Sequence, residues 1–117
     1  MSLTYNIKSE DGITIVSFDG KIISSGDTET IAAYFNQLDS KQITNTIFDF
    51  DSLSHINSSG INFMIRTLTK LRINNSELVL CNVAGNVRSL FEIAKIDTIF
   101  SVFDSKTEAI NHFKPSR

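Results

Sequence analysis

The chain switches hydrophobic period again and again. Runs with strand-like apolar pattern give way to stretches that repeat every three or four residues, and then return. This alternation constrains the fold more than any other feature, because strands joined through helices must run parallel, with right-handed crossovers. Two β-rich runs come first, Thr4 to Lys8 and Ile13 to Phe18, separated by Glu10-Asp11-Gly12. An Asp-Gly pair tolerates the positive φ angles of a tight turn, so these runs are expected to form a hairpin. In the second run Ile13, Ile15 and Ser17 fall on one side, and Thr14, Val16 and Phe18 on the other.

After Asp19-Gly20 the period changes. Ile31, Phe35 and Leu38 recur at helical spacing, with Asp27 or Thr28 placed to cap the start. A continuous β run, Thr46 to Phe50, precedes a second helix that carries Ile61, Met64, Ile65, Leu68 and Leu71 on one stripe. Glu77 to Cys81 is apolar on consecutive positions, as a strand covered on both faces would be. Val87, Leu90, Phe91 and Ala94 define a third helix after Gly85-Asn86, and Ile99 to Phe103 a last strand. Ser105 and Glu108 stand at capping-box spacing before a helix containing Ala109, Ile110 and Phe113. The expected order is β-β-α-β-α-β-α-β-α: an α/β domain, its mixed sheet opening with a hairpin and carrying about four packed helices. It is read as one domain over residues 1–113, with 114–117 a frayed tail.

A chain of 117 residues suits one domain and is too short for two that each need a core. Its 11 basic and 13 acidic residues, net −2, argue against nucleic-acid binding, which takes a concentrated basic face. The lone Cys81 excludes an intramolecular disulfide and a four-cysteine zinc site, and its apolar run reads it as a small buried hydrophobe. No run approaches the roughly 20 apolar residues of a membrane span, and the N-terminus carries no basic leader. These features set the expectation of a soluble, cytoplasmic domain without metal or cofactor.

Function in α/β sheets tends to sit where loops leave the carboxyl ends of strands. Asp51-Ser52-Leu53-Ser54-His55-Ile56-Asn57-Ser58-Ser59-Gly60 is read as such a loop, leading into the second helix. Its crowded hydroxyls have a plain explanation, since Asn and Ser are favoured helix N-caps. The same geometry also permits a switch. A helix start presents unsatisfied N–H groups and the positive end of the macrodipole, so a serine there can carry a phosphoryl group. Roughly −1.5 to −2 charges would then appear at one surface point without unfolding the domain.

Ile56-Asn57-Ser58-Ser59-Gly60-Ile61 resembles the Asp-Ser-Ser/Thr-Gly-Leu signature of the STAS domain of bacterial anti-sigma factor antagonists. The Phe50-Asp51-Ser52-Leu53-Ser54 lead-in and the Asn86-Val87-Arg88-Ser89-Leu90-Phe91-Glu92-Ile93 helix are similar to that family as well. The resemblance implies a partner-switching regulator. Its unphosphorylated form would bind an anti-sigma factor that is also a serine kinase, phosphorylation at Ser58 would inactivate it, and a serine phosphatase would restore it. Ser59 and Gly60 complete the motif. This chain departs from the family at Asn57 and Lys21, which stand where acids are usual, at Ile23 in place of a second acid, and at Asn62 in place of a frequent glycine. A STAS subunit acting as a scaffold without phosphotransfer is the alternative.

On a helix wheel of about 100° per residue, Phe63 falls roughly opposite the apolar stripe, beside Arg66 and Lys70. Two readings stand side by side: Phe63 anchors a partner within a patch of Asn57, Ser58, Ser59, Gly60, Asn62, Phe63 and Arg66, or a neighbouring segment covers it. An enzyme has less support. Ile56 occupies the first glycine position of a nucleophile elbow, and nothing in the pattern joins Ser58 to His112 and Asp104 as a triad. His55 precedes the serines in the loop. Asp49 and Asp51 read as one strand-face acid and one loop acid rather than a metal pair.

Overall fold

A computed structural model describes residues 3–114. Strands β1 (Leu3–Glu10) and β2 (Ile13–Ile22) form the expected antiparallel hairpin, closed by Asp11 at φ 54° and Gly12 at φ 79°. A 3-10 turn at Ser25–Thr28 leads into α1 (Glu29–Gln37). Then follow β3 (Thr46–Ile56), α2 (Ser58–Ile73), β4 (Leu78–Cys81), α3 (Gly85–Ile93), β5 (Val102–Phe103) and α4 (Lys106–Phe113). The element order agrees with the sequence reading. So does the cap of α4, where Ser105 Oγ accepts from the Glu108 N–H at 3.1 Å.

The five strands lie in the spatial order β1-β2-β3-β4-β5, with every pair from β2 onward parallel. Three successive crossovers therefore advance in one direction, and right-handedness puts their helices on one face. There α1, α2 and α3 bury Ile31, Phe35, Phe63, Met64, Leu68, Val87 and Phe91 against Val16, Phe18, Phe48, Phe50 and Leu80. The opposite face, Ile13, Ile15, Ile47, Val79 and Cys81, is covered by Ala109 and Ile110 of α4. Open α/β sheets bind nucleotides where the strand order reverses. The described strands contain no such reversal, so the topology supplies no crevice of that kind.

Three expectations change. The stretch from Asp51 to Ile56 is strand, not loop: β3 keeps pairing with β2 through Ser52, Leu53, His55 and Ile56, well past the end of β4. Register shifts after Ser17 and after Gly20 each leave one extra residue on β3. Such bulges break the two-residue alternation. Phe50, Leu53 and Ile56 consequently bury their side chains at every third position, a spacing no strand template recognises. Asp51 thus lies on an exposed strand rather than in a loop.

The last strand is shorter than expected. Lys95, in the left-handed region at φ 56°, starts a 3-10 turn at Ile96–Thr98, which delivers Phe100 to the core and leaves only Val102 and Phe103 to pair with β4. In the start of α1, Asp27 does not cap the helix. Its Oδ2 accepts the N–H groups of Ile23 and Ser24 at 2.9 and 3.1 Å, fastening the turn that precedes it. Of the expected tail, Lys114 lies beside the hairpin turn, its Nζ 3.4 Å from Asp11 Oδ2, and 115–117 fall outside the described residues.

Cys81 is fully buried between the two layers. Burial, reinforced by the neighbouring Asp49 carboxylate, pushes its thiol up to about 12. A raised thiol pKa means the folded state holds its proton longer than the unfolded chain, so stability should fall as pH rises from about 9 towards 12. Comparing urea midpoints of the wild type and Cys81→Ala across that window isolates this slope, which the variant should lack. The folded thiol should also resist a disulfide reagent at pH 8 and react fully once guanidinium unfolds the chain.

Candidate functional site

Helix α2 begins where the β2–β3 overhang ends, and one side chain joins the two. Asn57 is the N-cap, in extended conformation, and its Oδ1 accepts from the Ser59 N–H at 3.0 Å. Its Nδ2 donates to the Ile23 carbonyl at 2.7 Å, and its own N–H to the Ile22 carbonyl at 3.1 Å. The first turn of α2 is thereby fixed against the end of β2.

Gly60 makes that close approach possible. A Cβ at this position would stand 2.5 Å from Ile56 Cγ1 and 2.9 Å from Ile22 Cγ2, both inside van der Waals contact. The glycine of the motif is thus a packing requirement: it lets the helix settle on two isoleucines of the overhang.

Ser58, Asn62 and Arg66 are exposed and follow one another at four-residue spacing, so they form a single outward strip. Ser59 is half-buried. Ser58 takes the first helical position of a 16-residue helix, at the positive end of its dipole. An oxyanion bonded to its Oγ would sit in solvent, near backbone N–H groups, and would displace nothing from the core.

Phe63 belongs elsewhere. It is 1% exposed, not a surface anchor, and its ring stacks on Phe48 with centroids 5.7 Å apart and planes 7° from parallel. The apolar stripe drawn on the wheel was centred too far to one side, because α2 packs on α1 as well as on the sheet. Its buried arc accordingly runs from Phe63 through Thr67 and Met64 to Ile61, while Ile65 is only half-buried. Thr67 enters this arc by donating its hydroxyl to the Phe63 carbonyl at 2.9 Å.

His55 ties the overhang to α3. Ser54 Oγ donates to the Gly20 carbonyl at 3.1 Å, so it accepts from His55 Nδ1 at 3.0 Å. Nε2 then accepts from Asn86 Nδ2 at 3.1 Å. His112 lies on α4 between the rings of Phe103 and Phe113, across the sheet from α2, so Ser58, His112 and Asp104 are not assembled. Asp49 accepts from Asn82 Nδ2 at 2.9 Å and from the Asp51 N–H at 3.1 Å. Among the described residues no three His, Cys, Asp or Glu side chains cluster to hold a metal, and no helix is long and apolar enough to cross a membrane.

Sequence reasoning noted Ile23 as a departure from the family but left it out of the patch; it is 51% exposed and joins the site through Asn57. The signal lay in the Ile22-Ile23 pair: where the first of two adjacent residues leaving a strand turns inward, the second turns out.

A family model described as STAS domain matches residues 4–109. A relative named as an anti-sigma factor antagonist, BtrV of Bordetella bronchiseptica, is 31% identical over 104 residues, 89% of each chain. An anti-sigma factor antagonist of Mycobacterium paratuberculosis has the same fold at TM-score 0.81 and 16% identity, over 95% of this chain and 93% of that one. The Bacillus protein SpoIIAA, solved in the phosphorylated form, superposes at TM-score 0.73 and 18% identity, over 95% of this chain and 100% of its own.

Two substitutions separate packing from surface. Phe63→Ala should cost about 3–5 kcal/mol in urea unfolding, as removal of a buried ring does. Gly60→Ala should cost about 1–3 kcal/mol despite alanine's better helix propensity. Part of that loss should return in an Ile56→Val background, which removes one of the crowded methyl groups.

Proposed function

The chain belongs to the STAS domain family, and on that premise we propose that it is a non-enzymatic, cytoplasmic anti-sigma factor antagonist switched at Ser58. The unphosphorylated strip of Ser58, Asn62 and Arg66, with Asn57, Ser59 and Gly60 shaping its start, docks an anti-sigma factor that is also a serine kinase. Phe63 supports this surface from beneath, through its stack on Phe48. That kinase transfers the γ-phosphoryl group of ATP to Ser58 Oγ: an O–P bond forms, ADP leaves, and the hydroxyl proton is released. A serine phosphatase hydrolyses the ester with water, returning the hydroxyl and inorganic phosphate.

The observation that carries this reading is the placement of Ser58: exposed, at the first position of α2, outside a core that does not use its hydroxyl. Added negative charge there is tolerated by the helix end and still alters the docking surface. The 31% identical relative carries the name of an anti-sigma factor antagonist, and SpoIIAA has been solved phosphorylated on this fold. The second reading, a scaffold subunit without phosphotransfer, is favoured by Asn57 and Lys21, which take charge away from or reverse it around the serine.

Incubation with a serine-kinase anti-sigma factor and ATP, followed by intact mass, tests the switch. One phosphoryl group should appear, and Ser58→Ala should abolish it. No addition by a kinase that binds the chain leaves the scaffold reading; turnover of a generic ester lost in Ser58→Ala would instead mark an enzyme.

A further inference from the structure

The segment leaving β2 presents an apolar side chain that the core does not use. Ile22 is fully buried, whereas Ile23 is 51% exposed. Yet the backbone of Ile23 is held on both sides. Its N–H donates to Asp27 Oδ2 at 2.9 Å, and its carbonyl accepts from Asn57 Nδ2 at 2.7 Å. The residues on either side are tied to the same two residues: the Ser24 N–H reaches Asp27 Oδ2 at 3.1 Å, and the Ile22 carbonyl accepts from the backbone N–H of Asn57 at 3.1 Å. An exposed isoleucine is thus fixed outward, next to the first turn of α2.

We propose that Ile23 is an apolar anchor for the same anti-sigma factor that reads Ser58, that Asn57 is the positioning residue that holds it, and that the partner meets it with an apolar socket. The inference rests on the reading of α2's first turn as the docking face. Charge decides the chemistry of the socket. From Gly20 to Thr28 the sole acid is Asp27, whose Oδ2 is engaged by two backbone N–H groups, while Lys21 adds a positive charge. A basic group on the partner would lose its water here and meet an isoleucine and a lysine, which disfavours it. An apolar socket gains from burying Ile23, and because the segment is already ordered, little freedom is lost on binding.

Only a carboxamide does what Asn57 does. Its oxygen caps Ser59 while its nitrogen donates to Ile23. Aspartate could cap the helix equally well. It has no donor for the carbonyl, however, and would set a charged oxygen against it. Asn57→Asp is therefore expected to loosen the segment and let Ile23 move.

The test uses the full chain, with the purified serine-kinase anti-sigma factor that modifies Ser58 as probe. Ile23→Ala should weaken binding tenfold or more, with an unchanged unfolding midpoint, and Ile23→Leu should restore it. Ile73→Ala, at the far end of α2 and also exposed, should bind as wild type. In the isolated protein, Asn57→Asp should speed amide exchange at Ile23 and Ser24 about tenfold. Affinity within twofold of wild type for Ile23→Ala, or unchanged exchange in Asn57→Asp, overturns the proposal. Ser58→Glu keeps the two readings apart: if it binds as wild type while Ile23→Ala does not, the Ser58 switch fails and the anchor stands. The reverse pattern removes the anchor alone.

Discussion

Phe48 holds the domain together. It lies near the start of β3, without exposed surface, and its ring meets those of Phe18, Phe35, Phe50 and Phe63. These partners come from β2, α1, β3 itself and α2, so a single side chain couples the sheet to two of the three helices above it. Phe50 extends the chain of rings to Phe91 on α3. Each such pair adds about 0.5–1.5 kcal/mol beyond simple burial, a noticeable share of the roughly 5–15 kcal/mol that keeps a domain folded. The orientation of α2, and with it the direction in which Ser58 points, follows from this aromatic cluster.

Much of the architecture was legible in the chain because periodicity is a packing signal. Strand β1 alternates, β2 and β4 carry apolar residues on both faces because helices cover both, and the helices carry stripes. What escaped was whatever depends on two elements at once. The bulges of β3 arise from pairing with β2, so Leu53 and Ile56 could not be recognised as strand residues from β3 alone. Phe63 looked outward because a wheel describes one helix facing one surface, whereas α2 packs against two. The family resemblance pointed to Asn57 to Gly60, yet it could not show that the glycine is there for Ile22 and Ile56, or that the asparagine reaches Ile23.

The polar groups at this end divide into two kinds. Asn57, Asp27, Ser54 and His55 spend their hydrogen bonds inward, on backbone groups of β2 and the turn after it or on Asn86, and so make the end of the sheet rigid. Ser58, Asn62 and Arg66 face solvent. The groups that face outward are therefore not those that hold the shape, so a change at Ser58, Asn62 or Arg66 leaves the hydrogen bonds at this end of the sheet in place.

The overhang of β2 and β3 past β4 carries a consequence for divergence. Lys21, Ile23 and Asn62 project from this end, and their outward atoms contribute little to the buried aromatic cluster. Replacing them changes the face this end presents while leaving the domain equally well folded. Two copies of such a gene in one cell could therefore come to present different faces after only a few exposed changes, neither at risk of losing its fold.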